Sequence, residues 1–326
     1  MGTFLGIYVL ALFYIHGSSR ITGVNSSGNS CTSKPNLNWN SSHIHVVFIG
    51  DSVTRYQFVA TAFRLYFQEV IPKYVVNEKV HRSWLEYYEN TTLIFEGSMK
   101  CDCFRYQNYR KIGNSFSFSR ENRFFSFQIK CQNGLTFKVM LTYIQFFGDQ
   151  NSLHGRVLPS HIEHARLGKK MHKSRWRYLQ LSNAIEGFVG QLANRPSHIV
   201  LNAGLWPHKK VMANLKIALI AANDISSNVY WKETSPNKAY ALKQAVLHNF
   251  TFNDPTDIDI LARHYCEQEK LCVYVEFPRD IPLELLSPER IPEYFDSSHF
   301  LSPELYVAWS KLLFERMHLI PLIKVL

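Results

Sequence analysis

The chain has 326 residues, 46% of them apolar and 14% aromatic, which is enough to bury one large α/β core and excludes a disordered, low-complexity protein. Its formal charge of +10 points to an anionic partner: an acidic glycan, a membrane surface or nucleic acid. Nucleic acid is set aside because the chain reads as secretory, and the basic, aromatic stretch Phe104 to Phe127 is then a solvated, strand-rich face.

The first element is an apolar run, Phe4 to Ile15, followed by the small residues Gly17, Ser18 and Ser19. It is too short to span a bilayer comfortably, so residues 1–19 read as a signal peptide or a short anchor that would tether the protein to a membrane. A polar leader over 20–44 and one catalytic domain over 45–326 follow. Sequons at Asn25, Asn40, Asn90 and Asn249 agree with a secreted protein or one held in the lumen of the ER or Golgi. Six cysteines make an even set, allowing up to three bridges in such a compartment. Cys101 and Cys103 read as strand neighbours with separate disulfide partners, since no second cysteine pair completes a zinc site. His161 and His164 read as surface residues, and neither a metal nor a cofactor is expected.

His45 to Gly50 is a short continuous apolar run, the pattern of a strand buried on both faces. Tyr56, Val59, Phe63 and Phe67 then recur at helical spacing, so strand turns into helix at Asp51 and Ser52. Residues 93–147 read as an antiparallel excursion: Leu93 to Phe95, Phe124 to Ile129 and Leu135 to Phe147, with Asn133-Gly134 as a hairpin turn. Leu181, Ile185, Phe188 and Leu192 predict a helix, and His198 to Leu201 a second buried strand ending at Asn202. A helical stripe at Met212, Leu215 and Leu219 is followed by strands at Asn228 to Glu233 and Leu271 to Phe277. Ser302 caps a last helix with Pro303 and Glu304 in its first turn. This alternation predicts an α/β fold with a mostly parallel sheet and helices on both faces.

Three places hold residues suited to chemistry. At Gly50-Asp51-Ser52, Gly50 tolerates the angles of a sharp turn, and Ser52 stands at the carboxyl edge of a central strand where helix-terminal N–H groups, its own included, face a developing oxyanion. Asp296 and His299 are spaced to lie on one side of a helical turn, so the carboxylate accepts from one ring nitrogen and the other is left to take a serine proton. Asn202 follows a neighbouring strand, where its amide either donates to the oxyanion or caps the next helix. Arg55, one turn beyond Ser52, and Trp206 are the expected substrate contacts; the alternative for Arg55 is a pairing with a carboxylate.

Val-Phe-Ile-Gly-Asp-Ser-Val-Thr-Arg55, Ile-Val-Leu-Asn-Ala-Gly-Leu-Trp206, Val-Tyr-Trp-Lys-Glu-Thr-Ser235 and Asp296-Ser-Ser-His299, in this order, resemble the blocks of the SGNH hydrolases. More narrowly they resemble the PC-esterase group, which includes trichome-birefringence-like polysaccharide O-acetyltransferases and the lumenal domain of the sialic-acid O-acetyltransferase. The resemblance runs from about His45 to Leu313. It implies a flavodoxin-like three-layer SGNH fold, a Ser52/His299/Asp296 triad, and acyl transfer to or from a glycan or another acylated, anionic small molecule. It also implies an oxyanion hole built from Ser52, Asn202 and a glycine, for which Gly97 is the best candidate and Gly113 and Gly148 compete. After Asn202 this sequence has Ala-Gly-Leu-Trp where many plant relatives have Thr-Gly-His-Trp, so their acceptor preference is not carried over. Two readings of other kinds stay open: a catalytically silent glycan-binding module, and a lipid or phosphodiester hydrolase with the same triad.

Overall fold

Strand β1 (His43–Gly50) is buried along nearly its whole length, because its apolar side chains alternate between two separate cores. Ile44, Val46 and Phe48 point into one, Val47 and Ile49 into the other. Burying each such side chain contributes roughly 1.5–3 kcal/mol, which is why a run without polar alternation is stable only at the centre of a covered sheet. The computed structural model describes residues 43–82, 84–105, 119–130, 136–146, 180–203, 209–239, 241–242, 256–278 and 280–319. The expected leader and signal, the Asn133-Gly134 turn, Gly113, Gly148, His161, His164 and Trp206 lie outside them, as do Cys31 and Cys131.

Helix α1 (Ser52–Phe67) leaves β1 directly. Short α2 (Lys73–Val76) and α3 (Trp84–Leu93) lead to the strands β2 (Met99–Arg105), β3 (Ser119–Lys130) and β4 (Thr136–Gln145). Helix α4 (Leu181–Gly187), β5 (His198–Leu201), α5 (Lys209–Ile225), β6 (Val229–Lys232), α6 (Asp257–Glu267), β7 (Val273–Val275) and α7 (Pro303–Arg316) follow. The seven strands form one sheet in the order β2-β3-β4-β1-β5-β6-β7. β4, β1, β5, β6 and β7 are mutually parallel, while β2 and β3 make the antiparallel excursion. The parallel strands alone run second, first, third, fourth, fifth in chain order, the doubly wound arrangement whose switch point, beside the first strand, opens a crevice at the strands' carboxyl ends.

The two cores make three layers. α1, α3 and α7 cover one face of the sheet, and α4, α5 and α6 the other. α1 is apolar on one stripe in the sequence, yet its polar residues are buried as well: Thr54 and Gln57 meet Lys232 of β6, Arg55 meets Glu121 of β3, and Thr61 meets Ser310 of α7. Among the described residues no helix is long and apolar enough to cross a membrane.

Two local expectations are corrected. Leu93 ends α3 and is not in a strand: the hydroxyls of Thr91 and Thr92 donate to the carbonyls of Tyr87 and Tyr88, each at 2.7 Å, so these β-branched residues settle into a helix whose tyrosines pack in the core. Cys101 and Cys103 were expected to take separate partners, but they lie side by side on edge strand β2 at disulfide-forming distance, Cα atoms 5.3 Å apart. Cys266 and Cys272 pair at the end of α6, Cα atoms 4.4 Å apart.

Candidate active site

The turn from β1 to α1 is built around the buried Asp51. Its carboxylate caps the helix, accepting from the N–H groups of Val53 at 3.0 Å and Thr54 at 3.2 Å. Those two helix-terminal donors are therefore occupied, and the N–H of Ser52, the first residue of α1, is the one standing beside the Ser52 hydroxyl. The Tyr143 hydroxyl on β4 donates to the carbonyls of Gly50 at 3.1 Å and Asp51 at 2.8 Å, pinning the turn from the neighbouring strand. Gly50 is required for space and not for its backbone angles: its φ is not positive, but a Cβ there would lie 2.8 Å from Thr54 Cβ.

The loop before α7 brings an imidazole to the Ser52 hydroxyl. His299 Nε2 lies 2.7 Å from Ser52 Oγ, and His299 Nδ1 lies 2.9 Å and 3.0 Å from the two oxygens of Asp296. The Asp-x-x-His segment is a bend and not a helical turn: Asp296 Oδ1 also accepts from the N–H groups of Ser298 at 2.8 Å and His299 at 2.9 Å. One carboxylate thus folds its own loop and orients the ring. Burial alone would raise the Asp296 carboxyl, but these hydrogen bonds and the charge of His299 hold it well below the ordinary carboxylate range. The imidazole is wedged between Phe295, stacked at 5.4 Å, and the edge of Tyr56 at 4.8 Å. Lys79, whose side chain is exposed, lies 3.9 Å from Asp296 Oδ2, a long ion pair that contributes little.

Asn202 closes the group. Its N–H donates to the Ile49 carbonyl at 3.0 Å, so the ends of β5 and β1 meet beside Ser52. One N–H of its side-chain amide goes to the Lys232 carbonyl, 2.7 Å away, and Thr234 Oγ1 stands 3.4 Å off, at the weak limit of a hydrogen bond. Asn202 is not the residue capping a helix, because Ala203 after it is not helical. Asp259 supports this corner by accepting from Trp231 Nε1, the Thr234 N–H and the Thr256 hydroxyl.

Two expected site residues are elsewhere. Gly97, with φ of 83°, is an exposed left-handed turn glycine just before β2. Through the pairs Met99–Phe125, Phe125–Leu141 and Leu141–Val46 it lies near the amino end of the sheet. That is on the order of 20 Å from Ser52 along the strand direction, and three strands aside. Arg55 is buried and does not face a substrate: Nη1 pairs with Glu121 at 3.1 Å, and Arg123 Nε holds the other Glu121 oxygen at 2.6 Å. Tyr87 stacks against both guanidiniums. Glu121 on β3 and the Tyr87 ring draw the guanidinium inward, although Arg55 lies only one helical turn from Ser52.

No family model matches the sequence, and no curated protein matches it either.

Sequence reasoning missed Tyr143 and Lys232. Tyr143 gave no local signal, its partners being 92 and 93 residues away. Lys232 did, as a cation in the apolar strand Val-Tyr-Trp-Lys. Its side chain is wholly buried, donating to Thr54 Oγ1 at 3.0 Å and Gln57 Oε1 at 2.9 Å, with Nζ 4.0 Å above the Trp309 ring. Burial pushes this ammonium down to about 7, against the opposing pull of Asp51 and Asp259.

Proposed function

We propose that the chain is a serine-dependent acyl esterase or O-acyltransferase of the SGNH type, acting on acylated glycans through Ser52, His299 and Asp296. The observation that carries this reading is the unbroken line from Asp296 through His299 Nδ1 and Nε2 to Ser52 Oγ, at 2.9 Å and 2.7 Å. Residues from the two ends of the chain have no structural need to meet in this way. The flavodoxin-like order of the parallel strands and the position of Ser52 at the switch point are consistent with it.

In the proposed reaction Ser52 Oγ attacks the ester carbonyl carbon as His299 Nε2 takes its proton, and Asp296 stabilises the imidazolium. The Ser52 N–H and the second amide N–H of Asn202 receive the oxyanion. His299 then returns the proton to the departing alkoxide, leaving an acyl-Ser52. Water, or a sugar hydroxyl, then attacks the acyl carbon as His299 takes its proton; the Oγ–acyl bond breaks, Ser52 Oγ recovers that proton from His299, and the acyl group leaves as acid or new ester. The resemblance to the PC-esterase group favours a sugar substrate and a secreted or lumenal setting. A tether through residues 1–19 fits the same setting.

Labelling with a fluorophosphonate, followed by mapping of the modified residue and a screen of acetylated glycans, tests the reading. Modification of Ser52 that Ser52→Ala abolishes is expected. A folded protein that reacts nowhere, or reacts equally after Ser52→Ala, refutes it.

A further inference from the structure

The feature left unused by this mechanism is the lysine beneath the nucleophile helix. A fully buried ammonium is costly unless every donor is satisfied, and hydrophobic residues of similar size usually replace it without loss of stability. Here three elements are shaped around it. From α1 come Thr54 and Gln57 as acceptors; from α7 comes the face of Trp309; and the backbone carbonyl of Lys232 itself holds the Asn202 amide. Thr54 is also one of the two residues whose N–H is capped by Asp51, so lysine and aspartate grip the first turn of α1 from opposite sides.

We propose that Lys232 is a positioning residue for the acyl-transfer site: its ammonium fixes the first turn of α1, and with it Ser52, while its backbone fixes Asn202. This inference rests on the reading of Ser52 as nucleophile. The charge is part of the device. A cation–π contact with Trp309 exists only for the protonated amine, and a positive charge in this water-poor layer favours negative charge developing at the carboxyl ends of β1 and β5. The charged groups facing it are Asp51 before α1 and Asp259 on α6; Thr54, Gln57 and Trp309 do not titrate in the working range. The lysine is charged below about pH 7 and neutral above it. Between about 7 and the ordinary 10.5 the unfolded chain therefore holds a proton that the folded chain does not, and stability from this group rises with pH across that window. The charged form costs stability where it serves the chemistry.

Lys232→Met and Lys232→Arg are compared with the unaltered chain for thermal stability, for kcat and KM on an acetyl ester, and for the rate of fluorophosphonate labelling between pH 6 and 9. The expected result is a folded Lys232→Met with kcat and labelling lower on the order of 10–10²-fold and KM little changed, because the misplacement affects the reacting atoms and not the substrate pocket. Lys232→Arg should recover most of the rate and lack the decline with pH that the lysine protein shows near 7. A folded Lys232→Met that labels as fast as the unaltered chain overturns the inference. If Lys232→Met does not fold, the pH profiles decide: a decline near 7 present with Lys and absent with Arg supports it, and profiles of the same shape overturn it. Absence of labelling at Ser52 in the unaltered chain would overturn the proposed function and this inference together, whereas normal labelling indifferent to residue 232 overturns the inference alone.

Discussion

Asn202 and Lys232 are joined side chain to backbone across the carboxyl ends of β5 and β6, Nδ2 to carbonyl oxygen at 2.7 Å. The bond commits one N–H of the Asn202 amide to the scaffold, and on the proposed reading the other serves the oxyanion. Asn202→Ala should therefore lower stability by about 1–3 kcal/mol, the cost of a buried carbonyl left without its donor. Turnover should fall by about 10²–10³, as for loss of one oxyanion donor, with KM little changed. Chemical denaturation and steady-state kinetics on one purified variant separate the two. Lowered stability with undiminished turnover would leave Asn202 as scaffold only.

Asp296 both folds its loop and orients His299, so Asp296→Asn should cost turnover on the order of 10⁴-fold. It should also change the acid limb of stability. Because the folded carboxyl lies below its ordinary 3.8, the unfolded chain binds the extra proton first; the stabilisation is complete above about pH 4 and fades as pH falls through the folded value. Melting temperatures from pH 7 down to 2.5 should decline more steeply for the unaltered chain than for Asp296→Asn. Parallel curves would show that the loop does not depend on this charge.

Glu121 stands between two buried guanidiniums, Arg55 at 3.1 Å and Arg123 at 2.6 Å. Glu121→Gln strands both charges and should cost about 3–5 kcal/mol in urea unfolding. Arg55→Met should lower stability too, while leaving KM for charged and neutral esters in the same ratio. A selective rise in KM for anionic esters would return Arg55 to substrate binding.

Gly50→Ala should destabilise by about 1–3 kcal/mol, since its Cβ meets Thr54. In a Thr54→Ala background the same change should cost less, and a double-mutant cycle measures the difference. Additive effects would mean that the turn itself, and not the contact, requires glycine.

Much of this architecture was legible in advance. β1, β5 and α1 were readable because continuous burial and helical periodicity are local properties of the chain, and Ser52, Asp296 and His299 because each sits beside such an element. Asn202 was placed correctly at a strand end, yet its second bond to Lys232 depends on a strand 30 residues onward. Gly97 shows the limit in the other direction. A glycine at a turn looks alike at either edge of a sheet, and only the register of β2 against β3 and β4 reveals the edge. For Arg55 the carboxylate-pairing alternative is the one realised, and its partner Glu121, 66 residues away in sequence, could not be named beforehand. Leu93 to Phe95 was read as strand from its apolar run, whereas Leu93 closes α3 and Ile94 and Phe95 lie in the turn that follows.

Ser52 and His299 are 247 residues apart in sequence, and α1 is held against α7 by contacts such as Tyr56 with Tyr306. At ribosomal speeds of about 5–20 residues per second, the serine would precede its base by roughly 10–50 s. On the proposed reading a nascent chain carries an inert hydroxyl until α7 closes against α1 and His299 reaches Ser52. If the proposed reaction holds, ester cleavage reports completed folding, and a chain cut short before α7 does not carry it out.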